Sequence, residues 1–135
     1  MNSRERCIAA IKGRPVDRAP VFPLLMFFAQ RRLGITYREF ATNGRSMAEA
    51  QLNVLKTFPV DAITASSDAF RVAADLGADM AFPDDKPPFA QTPLVQSAAD
   101  LSKLGKPDPT SSGSRMAAPH SCCSLQFRDS PQDLL

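Results

Sequence analysis

The sequence predicts an α/β fold built from βα units, as in a parallel sheet. Three observations predict this class: an apolar run at 21–28, a second β-prone run at 60–65, and a helical pattern after each of them. The chain has 135 residues, a length typical of one domain. Twelve Pro against six Gly indicate short, often interrupted elements.

The composition argues against several classes of protein. Sixteen Lys and Arg nearly balance 14 Asp and Glu, and the chain has one Tyr and no Trp, so we expect no nucleic-acid partner. The longest apolar run, 19–29, is interrupted by Pro20 and Pro23 and is shorter than the roughly 18 residues of a membrane span, so we expect no membrane contact and no secretory signal. Three Cys, at 7, 122 and 123, do not make a disulfide framework, which favours the cytoplasm.

The elements are predicted in order from their boundary signals. Ser3 is expected to cap a helix that runs to Lys12 and is closed by Gly13, with its apolar side formed by Cys7, Ile8 and Ile11. The run 21–28 reads as a strand with both faces buried.

Two capping-box signatures follow. Thr36 with Glu39 predicts a short helical turn, and Ser46 with Glu49 predicts a longer helix. Pro59 ends that helix, and its buried face is predicted at helical spacing: Met47, Ala50, Gln51, Val54, Leu55 and Phe58.

The second βα unit begins with the β-prone run 60–65. Asp68 lies at the mouth of the following helix, 69–76, which Gly77 closes, and 78–82 is predicted as a small third strand. Further along, Ser97 with Asp100 predicts a last helix through Leu104. From residue 110 onward no period of 2 or 3.6 is sustained, so we divide the chain into 1–109 and a loose, irregular tail, 110–135.

Several phrases in order resemble the amino-terminal part of the uroporphyrinogen decarboxylase superfamily: SRER at 3–6, GRPVDRAPV at 13–21, FPVDAI at 58–63 with Ser67 and Asp68, then 83–95 and 101–104. The resemblance covers residues 1 to about 113 and implies a (β/α)₈ TIM barrel. The superfamily includes the haem-pathway decarboxylase and corrinoid-linked methyltransferases that pass methyl groups to thiols.

The length conflicts with a whole barrel, which needs about 250 residues. We therefore predict an incomplete (β/α)₈ barrel that contains the first βα units only, followed by a tail that is out of frame or unrelated. Because such a chain exposes strand edges, we expect it to be inactive alone and to aggregate or stay partly molten. The resemblance implies an enzymatic parent that acts on a tetrapyrrole, corrinoid or thiol.

Asp68 is the candidate catalytic residue, because it follows a predicted barrel strand, the place where barrel enzymes carry their active sites. The resemblance implies that this acid faces the tetrapyrrole, accepts pyrrole N–H groups and stabilises positive charge when the ring is protonated. Such a role needs an ionised acceptor in a partly desolvated pocket. The other interpretation is that Asp68 only caps the helix that follows.

Arg31 is the candidate substrate-binding residue. The resemblance aligns residues 26–32 with a decarboxylase motif, Met-Arg-Gln-Ala-Gly-Arg-Tyr, whose two arginines bind substrate carboxylates in bidentate fashion. Arg31 takes the place of the second arginine, whereas Phe27 replaces the first, which favours the methyltransferase-like branches. The other interpretation is that Arg31 and Arg32 form a solvated end of the strand.

His120, Cys122 and Cys123 are suitable zinc ligands by type, but three neighbours without a fourth partner do not enclose the metal, so we predict no metal site and no cofactor in this chain. The resemblance implies zinc and a corrinoid for the parent methyltransferases. Ser66 and Ser67 have no adjacent His to activate them, which argues against a hydrolase. Two alternatives stay open: a small interaction module that adds a partner's strand to its sheet edge, and a redox- or metal-responsive tail.

Overall fold

The structure, a computed structural model, describes residues 1–64, 66–111, 113–117 and 125–127, the last three by their backbone alone. Its helices are α1 (Ser3–Ile11), α2 (Met26–Leu33), α3 (Tyr37–Thr42), α4 (Gly44–Thr57), α5 (Arg71–Asp75) and a 3₁₀ helix (Ala98–Lys103). Its strands are β1 (Ala62–Thr64), β2 (Met80–Ala81), β3 (Phe89–Ala90) and β4 (Leu125–Phe127).

The main core lies where α2 and α3 pack against α4. Its fully or nearly fully buried side chains come from all three helices: Ala29, Tyr37, Phe40, Ala41, Met47, Ala50 and Val54. The face predicted for α4 is confirmed, with Leu55 and Gln51 also buried. A second cluster of Leu55, Val60 and Ile63 attaches β1 to the carboxyl end of α4.

The capping chemistry of the helix starts was predicted better than the position of the caps. Thr36 caps α3 as expected, its hydroxyl accepting the Glu39 N–H at 3.1 Å. The N-cap of α4 is Asn43 rather than Ser46, and the cap of α1 is Asn2, whose side chain accepts the Glu5 N–H at 2.8 Å. Both predictions placed the cap inside the first turn, because Asn, Ser and Thr share the same capping chemistry.

The strand predicted at 21–28 is wrong. Residues 21–25 have no regular structure, and α2 begins at Met26. Pro20 and Pro23 bring no N–H to a ladder, and one bond at 2.8 Å, from the Asp61 N–H to the Val21 carbonyl, ties this segment to the start of β1. The apolar residues beyond it pack at helical spacing on the core instead, while Leu24 is 73% exposed.

The sheets are small and antiparallel among the described strands. β2 and β3 form a hairpin with Ala81 opposite Phe89, and β1 pairs with β4. The third strand predicted at 78–82 is therefore confirmed in its centre, but the parallel pairing expected from the βα order is not formed in this part of the chain. The connection from β2 to β3 is too short for a parallel crossover, which needs a dozen or more residues.

The remaining elements follow their boundary signals. Ser97 and Asp100 form the predicted capping box, although the helix they begin is 3₁₀. Helix α5 is shorter than predicted, and Gly77, at a φ of 94°, turns the chain after it. In α1 Cys7 is buried as expected, whereas Ile11 is 77% exposed.

Across the described residues we find no helix with the length and apolar character needed to span a membrane.

Candidate active site

Two aspartates flank β1, one before the strand and one after it. Asp61 immediately precedes Ala62, the first residue of β1, and Asp68 lies four residues after Thr64, its last residue. Each of the two carboxyl side chains is only 1% exposed, so each must be satisfied by donors from the protein.

Asp68 accepts four hydrogen bonds. Its Oδ1 accepts the Phe70 N–H at 2.9 Å and Nη1 of Arg115 at 3.2 Å. Its Oδ2 accepts the Ser67 hydroxyl at 2.5 Å and Nη2 of Arg115 at 2.8 Å. The carboxylate therefore has both a capping contact within its own turn and a bidentate ion pair with a distant arginine.

These bonds decide the charge state of Asp68. Burial by itself raises the pKa of the carboxyl, but the hydrogen bonds from Arg115, Ser67 and the Phe70 N–H together lower it below its ordinary value. Asp68 is therefore ionised at neutral pH in a nearly closed environment, which is the state that an electrostatic catalytic role requires.

Arg115 reaches Asp68 from the segment 113–117. Its side chain is 15% exposed, its guanidinium lies 4.8 Å from the centre of the Phe82 ring, and Nη2 also donates to the Ala41 carbonyl at 3.3 Å. Asp75, on α5, anchors the segment by accepting the Ser114 hydroxyl at 2.6 Å and the Arg115 N–H at 2.7 Å. These described residues of the predicted loose tail are thus closely bonded to the site.

Arg71 is a second cation of the site. Its Nε and Nη2 donate to the Ser67 hydroxyl oxygen at 3.1 and 2.8 Å, and Nη2 also lies 3.6 Å from the sulfur of Met47. Desolvation lowers the pKa of this guanidinium, against the opposing charge of Asp68. The fully buried Ser67 hydroxyl consequently connects Arg71 to Asp68.

Tyr37 links the site to the helical core. Its hydroxyl donates to the Ser67 carbonyl at 2.5 Å, and its ring lies 4.5 Å from that of Phe27. Burial, and after it the charge of Asp68, raise the pKa of Tyr37 to about 12.

Arg31 lies at the far end of this chain of contacts. It is exposed in the last turn of α2, with its guanidinium 5.8 Å from the centre of the Phe27 ring. Among the described residues no hydrogen bond or ion pair joins Arg31 to Asp68. One path of contacts connects the two predicted site residues, through Phe27, Tyr37 and Ser67. Arg32 lies similarly over Phe58, at 5.6 Å.

Asp61 is held by a different set of donors. Arg18 binds it through two nitrogens at 2.7 and 2.9 Å, Arg6 through one at 2.6 Å, and the Val21 N–H donates at 2.8 Å. Burial raises the pKa of Asp61, but Arg18 and these other donors bring it down to about 2. Arg6 also binds Asp17 at 2.7 and 2.8 Å.

The described residues contain no group of three or more His, Cys, Asp or Glu side chains able to hold a metal. His120, Cys122 and Cys123, considered as zinc ligands, lie outside the described residues. An open cleft of about 210 Å³ lies beside α5 and is lined by Asp75, Asp108, Ser111 and Ser114 among others. Asp68 does not line this cleft.

Sequence reasoning missed three members of the site. Arg71 opens α5 four residues after Ser67, and its contact with Ser67 depends on the irregular segment between them, which gave no periodic signal. Tyr37 was marked only by being the one tyrosine of the chain. Arg115 gave no local signal, because its partner Asp68 is 47 residues away.

An ionised acid buried after a strand of an α/β chain is the placement that barrel enzymes use for their active sites. The family model for uroporphyrinogen decarboxylase (URO-D) matches residues 2–125, and the chain belongs to this family. The fold of the family is the TIM barrel, and the mixed helices and strands of this chain are consistent with a part of one.

Curated relatives agree with this family. The uroporphyrinogen decarboxylase of Alkalilimnicola ehrlichii is 33% identical over 115 residues, which cover 78% of this chain and 30% of that protein. The corresponding protein of Xanthomonas oryzae pv. oryzae is 29% identical, with 80% and 32% covered, and that of Vibrio campbellii is 27% identical, with 78% and 31% covered. The chain thus spans about a third of the length of these relatives.

Proposed function

We propose that this chain supplies the first βα units of a uroporphyrinogen decarboxylase superfamily enzyme in which Asp68 is the anionic catalytic group. One observation carries the proposal: the Asp68 side chain is only 1% exposed, is ionised and lies four residues after the end of β1. Family membership supports a small tetrapyrrole as the substrate class. In this role the carboxylate accepts pyrrole N–H groups and stabilises the positive charge that develops when the ring is protonated.

Arg31 is proposed to bind a carboxylate of the substrate. It is exposed, and in the described part of the chain no carboxylate forms an ion pair with it. The Phe27 ring lies beneath it and restricts its orientation without neutralising its charge. An arginine in that state is free to form the bidentate contact that carboxylates prefer.

The chain alone is proposed to be inactive. A closed (β/α)₈ barrel needs about 250 residues, and this chain spans about a third of the length of its relatives, so it does not close a barrel by itself. Exposed apolar side chains at Phe22, Leu24 and Phe28 also leave a surface that favours self-association.

Fragment complementation tests this function with the chain as it exists. The chain is mixed with the part of the Alkalilimnicola ehrlichii relative that lies beyond its matched segment, and release of CO₂ from uroporphyrinogen is measured. We expect no turnover from either piece and turnover from the mixture, with an increased KM and a nearly unchanged kcat for Arg31→Gln. Assembly of the two pieces without turnover would contradict the decarboxylase assignment.

A methyltransferase is the second candidate, because Phe27 packs on Tyr37 where a decarboxylase of the resembled type has a carboxylate-binding arginine. Such a parent transfers a methyl group from a corrinoid to a thiol and uses zinc. The described residues provide no ligand set for zinc, so no step of the proposal depends on a metal. Methylation of a thiol by a complemented assembly that does not decarboxylate uroporphyrinogen would select this branch. A cytoplasmic location stays a prediction.

A further inference from the structure

We infer that Arg115 is a positioning residue of the site, which holds Asp68 ionised and correctly oriented before a ligand binds. The inference deepens the proposed function and rests on it for the role of Asp68. It also assigns residues 113–117 to the site, although the sequence pattern separated everything beyond 109 from the barrel.

The geometry of the ion pair carries the inference. Two nitrogens of Arg115 meet two oxygens of Asp68, at 3.2 and 2.8 Å, and this planar pairing fixes the carboxylate plane. The carboxylate is 1% exposed and the guanidinium 15% exposed, so solvent screens their attraction far less than it screens a surface pair.

Arg115 is itself held from three sides. The Phe82 ring lies against the guanidinium, the Ala41 carbonyl accepts from Nη2, and the backbone N–H of Arg115 is bonded to Asp75. A long side chain fixed in this way loses little further entropy on pairing, in contrast to most surface arginines. The arrangement is that of a support for the acid and not of an incidental contact.

The local charges are consistent with this role. Arg71 is the other cation near Asp68, but it donates to the Ser67 hydroxyl and not to the carboxylate. Arg115 is therefore the cation that bonds Asp68 directly among the described residues. Without it, burial would act on the Asp68 carboxyl with only the hydrogen bonds from Ser67 and the Phe70 N–H and the charge of Arg71 to oppose it.

The test is a ¹³C NMR titration of the Asp68 carboxyl carbon in the whole 135-residue chain, with the signal assigned by its loss in Asp68→Asn. In Arg115→Gln we expect the pKa of Asp68 to rise toward or above its ordinary value of about 3.9. Arg115→Lys keeps the charge but not the bidentate geometry, and it should give an intermediate pKa. Arg38→Gln is the matched control, because Arg38 pairs at 3.0 Å with an exposed Asp84.

Native fluorescence of the buried Tyr37 shows in each variant that the core is folded. A pKa of Asp68 that is the same in Arg115→Gln, Arg115→Lys and the Arg38→Gln control would overturn the inference. Since this measurement needs no substrate, it separates the two claims: assembly of the two pieces without turnover refutes the proposed function, whereas an unmoved Asp68 pKa refutes the role of Arg115.

Discussion

The two aspartates that flank β1 have side chains that are equally shielded from solvent, each 1% exposed, but their surroundings differ. Asp61, before the strand, is bound by Arg6, Arg18 and a backbone N–H, all from the first 21 residues. Asp68, after the strand, is bound by its own turn and by one arginine 47 residues away. The first set joins the amino-terminal segment to the core, and the second surrounds a single ionised acid.

The difference shows that burial of a charge does not by itself identify a functional acid. In βα enzymes the amino ends of the strands serve stability and the carboxyl ends carry chemistry, and the two aspartates are placed accordingly. Asp61 is a structural anchor with three charged or backbone donors, while Asp68 is the candidate catalytic group. A separate measurement can contradict each of these two assignments.

The largest effect on stability is expected from Asp61→Asn. The neutral amide leaves Arg6 paired with Asp17 alone and Arg18, whose side chain is 48% exposed, with solvent, and the lost charged hydrogen bonds should cost about 1–3 kcal/mol in the free energy of unfolding. Urea unfolding followed by Tyr37 fluorescence measures it, at low protein concentration to limit self-association. Glu49→Gln is the control, since its pair with Arg45 is exposed and should contribute less than about 1 kcal/mol.

If Asp61→Asn and Glu49→Gln lowered the free energy of unfolding by similar amounts, Asp61 would not be the structural anchor. The comparison is clean because Tyr37 is the only fluorescent ring of its kind in the chain, and there is no Trp to mask it.

Acid should destabilise the chain in a defined window. The folded pKa of Asp61, about 2, lies below its unfolded value of about 3.9, so its contribution is fully present above about pH 4 and is lost as the pH falls through about 2. Asp68, whose pKa is also lowered, adds to the same loss. Unfolding free energies measured across this range should fall less steeply in Asp61→Asn than in the parent chain, and equal slopes would contradict the account.

The smallest expected effect, a change in the pKa of Tyr37, distinguishes Asp68 from Asp61 most clearly. Because the charge of Asp68 helps to raise the pKa of Tyr37 to about 12, Asp68→Asn should lower the Tyr37 pKa, read from tyrosinate absorbance. Asp61→Asn should leave the Tyr37 pKa unchanged as long as the fold is intact.

The raised pKa of Tyr37 also means that this residue contributes stability that is present below about pH 10 and lost as the pH rises through about 12. A Tyr37 pKa unaffected by Asp68→Asn would place the two groups too far apart to share a site.

Local signals predicted much of the fold. The α4 face, the α3 cap, the short strand β1 and the capping box at Ser97 all depend on neighbours within a few residues, and these were predicted correctly. The run 21–28 was misread because an unbroken apolar stretch does not distinguish a buried strand from a helix, and only packing on α4 decides between them.

The candidate site was predicted in part for the same reason. Asp68 could be placed from its position after a β-prone run, but its charge state depends on Arg115, which is remote in sequence. The division of the chain at 109 stays a prediction. The ion pair of Arg115 shows that a segment without periodicity can still contribute a side chain to the site.

The activity of Asp68→Asn in the complemented assembly tests the central claim most directly. If Asp68 is the ionised group that stabilises developing positive charge, kcat should fall by about 10²–10³-fold with assembly of the two pieces intact. A kcat within about threefold of the parent would contradict the account and leave Asp68, like Asp61, a structural residue.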